Sequence, residues 1–493
     1  MSHPTSAQNT PCPAEQPVSG AVPADQGFVE RGDHGYRKTM SNFQIQMISL
    51  GGAIGTGLFL GLGSRLNAAG PALLLAYAAT GAVAYLLMRA IGELVMHRPT
   101  TGSFVSWARE FFGDRLAHLT GWTMVILGSL LGVVEVAAVS VYVQYWWPAV
   151  PAWIPALVAW LLIVGSNLYS ARMFGFIEAG ASSIKVAAIL LFIGAGLLLV
   201  FLGGPMGLPT EAGVANLFRG GFFTNGVLVV ALVSQGVVFS YSGIEISAVA
   251  AGEARNAREV MPKAIRSIVF RILVFYIGSV LVLSMLLPTS AYSGDESPFV
   301  TALSAFNIPW LGSVMNFVVL TAALSGVNAT LYATVRALRT LAANGDAPRT
   351  ANKMSKRGVP VGALAAIGGF YFLGVLMTAF FGGVQVFEVA LGASAVCILV
   401  LWITIFACQL RLRRHQDTGK LPVVGFRMPG APLTSWIGIA ALGAVFVSMV
   451  VPGTGDGWWM SLLGSVALFG GITIGYEVLK RTKARRLPVA ADG

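Results

Sequence analysis

The sequence predicts an all-α membrane protein of twelve spans, made of two five-helix repeats of inverted topology and two extra C-terminal helices. Three observations predict it. The 493 residues are 55% hydrophobic and only 11% charged, with a mean hydropathy of +0.73, whereas a soluble chain is about 25% charged. The apolar segments recur at the length of a bilayer crossing, about 20 residues each. Two of them, the first and the sixth, are interrupted by small and polar residues. An offset of five, an odd number, turns the second copy upside down relative to the first.

Span one (43–66) contains Gly51-Gly52-Ala53-Ile54-Gly55-Thr56-Gly57, four glycines in seven residues. Each costs a helix interior up to about 1 kcal/mol relative to Ala. In hydrocarbon the freed backbone groups have no water to bind, so such a break belongs inside protein or beside a wet cavity. N–H groups opening the second half-helix attract a carboxylate, and loose carbonyls closing the first attract a cation. A zwitterion such as an amino acid carries both charges. Span two (72–96) holds Arg89 and Glu93, one helical turn apart. A structural ion pair is expected there, with a gate as the alternative.

Span three (117–146) carries Glu135 near its middle, with no partner in its own segment. It pairs across helices, binds a substrate amine, or is protonated. Span four (153–173) is plain. Span five (177–203) sets Lys185 among Ile184, Val186, Ala187 and Ala188. Burial favours a neutral amine, which suits a proton carrier; the alternative is a snorkelling anchor. Span six (226–250) is interrupted over Ser234–Glu245, and Glu245 is expected to brace the unwound part by accepting N–H bonds, or to pair locally on a cavity wall.

Span seven covers 264–287, and span eight (310–340) places Asn316, Ser325, Asn328 and Arg336 toward a polar interior. Spans nine to twelve fall at 361–381, 385–410, 434–451 and 458–479, with Glu388 at the outer end of span ten. Residues 102–112 read as a short amphipathic surface helix.

Most Lys and Arg lie in 97–115, 253–266, 344–357, 411–427 and the tail, while loops on the other side carry only Arg65 and Arg219. That alternation puts both termini in the cytoplasm. It also explains the net charge of +11 without a nucleic-acid partner. The expected organisation is a polar tail over 1–40, the membrane domain over 41–480 and a basic tail over 481–493. Within the membrane domain the repeats cover about 43–203 and 226–410 and the extra helices about 434–479. Three cysteines and five loop or end histidines give no metal spacing. There is no nucleotide-binding loop and no nucleophile–base constellation, so neither an enzyme nor a cofactor is expected. No oligomeric state is implied.

Gly51 to Gly61, Arg89-Ala90-Ile91-Gly92-Glu93-Leu94, Gly102-Ser103-Phe104 and Ala250-Ala251-Gly252-Glu253-Ala254 resemble the signatures of bacterial amino acid permeases. These belong to the amino acid–polyamine–organocation superfamily, whose fold is LeuT-type with discontinuous helices 1 and 6. Within it the chain is similar to the L-asparagine permeases, through Met40-Ser41-Asn42, Gln44-Ile45-Gln46-Met47, Ser297-Pro298-Phe299-Val300-Thr301, Leu320 to Ser325 and Met428 to Trp436.

The resemblance implies proton-coupled import of a neutral amino acid, L-asparagine foremost, across the bacterial cytoplasmic membrane by alternating access. It implies a substrate site of Ile54, Gly55, Thr56, Gly57, Glu135, Phe239, Ser240, Tyr241 and Gly243. Thr56 and Gly57 would take the carboxylate, and carbonyls around Ile54 and Phe239 to Tyr241 the amine. Phe239 would be an aromatic lid, and Lys185 would stand in for a sodium ion. The pattern departs at two places. Asparagine permeases carry an Asn early in span three and another in span ten, where this chain has Val125-Ile126-Leu127-Gly128 and Val389-Ala390-Leu391-Gly392. Other neutral amino acids, and a sensor that binds without transporting, are the alternatives.

Overall fold

The computed structural model describes residues 54–98, 103–169, 171–203, 212–245, 269–306, 308–355, 358–450 and 458–486, with 262 and 265. The expected tail 1–40, Gly51 to Ala53, and the Ala250–Ala254 motif lie outside the described residues.

Every described element of regular structure is helical. The first span begins with α1 (Thr56–Phe59), steps through Leu60, and continues as α2 (Gly61–Ala69). Next come α3 (Leu73–His97), the surface helix α4 (Ser103–Phe112), α5 (Asp114–Gln144), α6 (Trp153–Tyr169) and α7 (Ala171–Leu202). α8 (Val227–Ser240) ends in a turn. A π-helical stretch, Ile272–Gly278, leads into α9 (Ser279–Leu286), followed by the short α10 (Pro298–Ser304). α11 (Pro309–Ala343), α12 (Val361–Phe381), α13 (Gly383–Asp417), α14 (Leu433–Val450) and α15 (Trp458–Arg486) complete the chain.

Among the described residues, nine helical stretches are long and apolar enough to cross a membrane. Gly61–His97 counts as one of them, so expected spans one and two run together there, and expected spans four and six are the shorter apolar helices Trp153–Leu168 and Val227–Ser240. Composition makes all of these helices apolar, but packing separates them. The apolar window of α5 is 78% buried and that of α13 72%, against 11% for α15. The long central helices therefore form the scaffold, and α15 turns most of its surface outward.

Small residues set how closely the scaffold packs. A Cβ on Gly132 would sit 1.8 Å from the Tyr371 ring, and Tyr371 Oη donates to Gly128 O at 3.1 Å, joining α5 to α12. Asn316 Nδ2 donates to Tyr142 O at 2.8 Å, and Asn167 Nδ2 to Asn328 Oδ1 at 2.7 Å. These two asparagines of α11 are therefore interhelical ties.

The expected Arg89–Glu93 pair is not what forms. Glu93 is fully buried and pairs with Arg413 of α13, whose Nη2 lies 3.1 Å from Oε2. It also accepts from Gln409 Nε2 at 3.1 Å and from the Met428 N–H at 2.9 Å. Arg89 instead donates to Arg427 O and lies 3.9 Å over the Phe426 ring. One turn of spacing permits a pair but does not compel it. The carboxylate took the stronger set, two guanidinium bonds and two neutral donors, and the loop 418–432 is pinned beneath α3 and α13. Arg413→Met should therefore leave a buried, uncompensated carboxylate, at a cost of about 3–5 kcal/mol. The expected result is a much lower thermal midpoint in detergent, largely restored in Glu93→Leu/Arg413→Met. An unchanged midpoint for Arg413→Met would contradict this.

The amphipathic helix expected at 102–112 is α4. Glu110 anchors it to the end of α3, 2.7 Å from His97 Nε2 and 3.2 Å from Arg98 Nη1. Burial works to raise the Glu110 carboxyl, but the bonds and charges of His97 and Arg98 outweigh it and hold it below the usual carboxylate range.

Candidate functional site

The site grows from the start of α1 and from the turn that ends α8. Ile54 is fully buried and Gly55 is extended, with φ −125 and ψ −168. The Leu58 and Phe59 N–H groups return to Gly55 O at 3.1 and 3.2 Å, so the N–H groups of Thr56 and Gly57 precede the first helical bond. The break is thus shorter at its C-terminal side than expected, because Thr56 and Gly57 already belong to α1. In the sixth span, residues expected to be unwound from Ser234 onward stay helical through Ser240. The interruption is the turn 241–243, closed by Gly243 at φ +91, a backbone region that glycine enters without steric cost.

Gly57 brings the two together. A Cβ there would lie 2.8 Å from Phe239 Cδ1 and 3.0 Å from Ser240 Cα, so α1 and the end of α8 touch through backbone and ring. Only glycine permits this approach. Glu135 of α5 comes to the other face of the break. Its Oε1 would lie 3.5 Å from a Cβ on Gly55 and 2.9 Å from one on Gly326 of α11. The carboxylate is therefore held between the first span and α11, buried. The Thr56 hydroxyl, 1% exposed, has no hydrogen-bond partner among the described residues. An unmet buried hydroxyl costs about 1–3 kcal/mol, which a ligand can relieve.

Ser240 and Tyr241 are less available than expected. Tyr276 Oη donates to Ser240 O at 2.8 Å, and Tyr77 Oη lies 3.1 Å from Ser240 Oγ, which donates to Gly236 O. The Tyr241 hydroxyl donates to Tyr77 O at 2.9 Å. Tyr77, Tyr241 and Tyr276 pack ring on ring, with Tyr241 and Tyr276 centroids 4.5 Å apart. Their partners fix the end of α8 against α3 and the π-helical stretch. Sequence reasoning missed this cluster, because Tyr77 and Tyr276 lie in segments that read only as apolar spans.

Lys185 faces inward, 1% exposed, with Nζ 3.3 Å from Ser325 Oγ of α11. Its stripe on α7, Ser182, Lys185, Ile189 and Phe192, is buried, whereas the adjacent Ile184 is half exposed. The lysine is thus inside the bundle and does not snorkel. Glu245 is 3% exposed and accepts from the Gly243 N–H at 3.3 Å, a local brace across the turn.

A second feature missed in the sequence is an ion pair over the site. Arg65 of α2 holds Glu388 of α13 through its two terminal guanidinium nitrogens, at 2.8 and 3.1 Å, and Ser64 Oγ adds a bond at 3.1 Å. The Arg65 side chain crosses Gly236 so closely that a Cβ there would lie 1.7 Å from Nε. Read one by one, Arg65 was a loop charge and Glu388 a helix-end charge. Their opposite signs, at helix ends both expected on the outer side, were the signal.

The two departures in spans three and ten also have a place. At the end of the stretch 125–128, a Cβ on Gly128 would fall 2.0 Å from Thr334 Oγ1, so any side chain there must displace Thr334. At Gly392, in contrast, no other described part of the chain comes within 4 Å of the Cβ position. Among the described residues no group of three or more His, Cys, Asp or Glu could hold a metal ion.

The chain is similar to known proteins over nearly all of its length. The amino acid permease family model matches residues 44–489. An L-asparagine permease 2 of Mycobacterium tuberculosis is 44% identical over 476 residues, covering 94% of this chain and 97% of the relative. L-asparagine permeases of Salmonella typhimurium and Escherichia coli are 41% and 43% identical over 478 and 428 residues, covering 95% and 86% of each chain pair.

Proposed function

The chain belongs to the amino acid permease family, and on that footing we propose that it imports a neutral amino acid, L-asparagine foremost, with protons. It is a membrane transporter, not an enzyme. The observation that carries the finer reading is the contact of Gly57 with Phe239 and Ser240, beside the buried Glu135 and a Thr56 hydroxyl with no partner among the described residues. The substrate carboxylate would take the N–H groups of Thr56 and Gly57 and the Thr56 hydroxyl. The amine would lie toward Ile54, the Phe239 carbonyl and Glu135, with Phe239 as the lid.

The fold in this reading is the twelve-span LeuT-type arrangement, both termini in the cytoplasm of a bacterial inner membrane. The Arg65–Glu388 pair then closes the outer face, and Glu93 with Arg413 holds the inner one. Access would alternate by rocking of one helix group against the other around the two breaks.

Coupling is assigned to Lys185. Charged, it would brace the first span against α11; neutral, it would release them. Lys185→Ala should bind radiolabelled asparagine yet lose accumulation driven by a pH gradient in proteoliposomes. In the wild type a proton ionophore should collapse uptake, and replacing sodium with choline should leave it unchanged. Full pH-driven accumulation by Lys185→Ala, or dependence on sodium, would remove Lys185 from the mechanism. Binding without any uptake by the wild type would instead favour the sensor.

Selectivity should be looser than strict carboxamide readout, since a site built to hydrogen-bond one group rejects analogues lacking it by about 10⁴-fold or more. Asparagine uptake is expected to be competed by other neutral amino acids in excess. A profile led by lysine or arginine would overturn this assignment.

A further inference from the structure

We propose that a cavity between the start of α5 and the end of α15 seats one anionic phospholipid. The cavity holds about 300 Å³ and is lined by Phe112, Arg115, His118, Leu119, Ile472 and Tyr476 among others. Its floor is the buried His118, whose ring lies 5.4 Å from that of Tyr476. Its walls are apolar, and α15 beside it turns Leu463, Val466, Ile474 and Val478 outward, each more than half exposed. Acyl chains run along that outward face of α15, and the cavity lies on its other side, against α5.

The charge is at the rim. Arg115 lines the cavity, and the Arg411 guanidinium stands 5.0 Å over the ring of Phe112. Lys480 lies one turn beyond Tyr476 and two beyond Ile472, on the same stripe of α15, and is exposed. Arg481 follows directly, with Lys483, Arg485 and Arg486 next in sequence. Of the acids at this end, Asp114 and Asp346 are held by Arg109 at 2.9 and 3.2 Å and Glu110 by His97 and Arg98, while Glu477 stands one turn from Lys480 and Arg481 and Asp417 one turn from Arg414. An apolar slot under a net cationic rim, at the basic end of the spans, complements a phosphodiester on two acyl chains. A zwitterionic lipid offers the same chains but no net charge to that rim. The seat is independent of what the protein transports.

The test is native mass spectrometry of the purified full chain with equimolar phosphatidylglycerol and phosphatidylcholine. The wild type should retain phosphatidylglycerol selectively. Arg115→Ala/Lys480→Ala should retain about tenfold less. The control Arg349→Ala/Lys353→Ala removes the same charge from exposed positions elsewhere and should retain it normally. Leu119→Trp fills the slot without changing charge and should also lose the lipid, which decides the matter if the double variant does not fold. Equal retention of the two lipids by the wild type, or equal retention by both double variants, would overturn the seat. So would full displacement by equimolar glycerol phosphate, which would mean a phosphate site with no need of chains.

Discussion

Gly57→Val is expected to reach the membrane and to abolish asparagine uptake. The reason is steric. A Cβ at 57 would lie 2.8 Å from the Phe239 ring and 3.0 Å from the Ser240 backbone, and backbone does not yield as a side-chain tip does. Two further methyl groups make the overlap worse. Overpacking of this kind costs about 1–3 kcal/mol, and spending it on separating the two interrupted spans should lower binding by roughly a hundredfold. Gly55→Ala is the internal comparison. Gly55 has an ordinary negative φ, and its added methyl would meet Glu135 Oε1 at 3.5 Å, a normal contact. That variant should keep most of its uptake. Binding and uptake would be measured at matched membrane abundance; wild-type uptake by Gly57→Val would remove the contact from the site.

Gly236→Ala is expected to act at a distance, through Arg65. The new methyl would fall 1.7 Å from Nε and 2.5 Å from Cζ, so the guanidinium must leave its seat and release Glu388. Arg65 is a flexible side chain, so the fold should tolerate the change. Glu388→Gln breaks the same pair without adding bulk. The Glu388 side chain is 36% exposed, so the pair is worth less than a fully buried one. Its loss should nonetheless shift closure of the outer face. Both variants should bind asparagine within a few-fold of the wild type and lower net accumulation by about tenfold, a coupling of about 1.4 kcal/mol. Normal accumulation by Glu388→Gln would show that Gly236 matters only for packing and that the pair does not close the transporter.

Much of this protein was legible before any fold was known. Apolar runs of bilayer length can only be helices, because lipid leaves no other way to satisfy the backbone. Glycine clusters in such runs are conspicuous because they work against the helix, and so the extended Gly55 just before α1 and the turn at 241–243 could be anticipated. Glu135 and Lys185 stood out for the same reason, as charges that cost energy where they are. Helix extents followed closely: 361–381 was expected and Val361–Phe381 is observed.

Partners were the part that only the tertiary structure decided. Helical spacing says which residues share a face, and here it suggested Arg89 with Glu93. The carboxylate chose Arg413, 320 residues away in sequence, because that guanidinium, Gln409 and the Met428 N–H converge on one buried point. Arg65 found Glu388 in the same way, 323 residues on, and Tyr276 found the Ser240 carbonyl. Even the meaning of a glycine was settled by its neighbours. Gly55 and Gly57 look alike in the chain, yet one faces a carboxylate at normal contact and the other a helix end that would overlap any side chain. Backbone need is a local property and is written in local sequence. Which charge meets which, and which glycine is irreplaceable, depends on distances between helices that no single segment encodes.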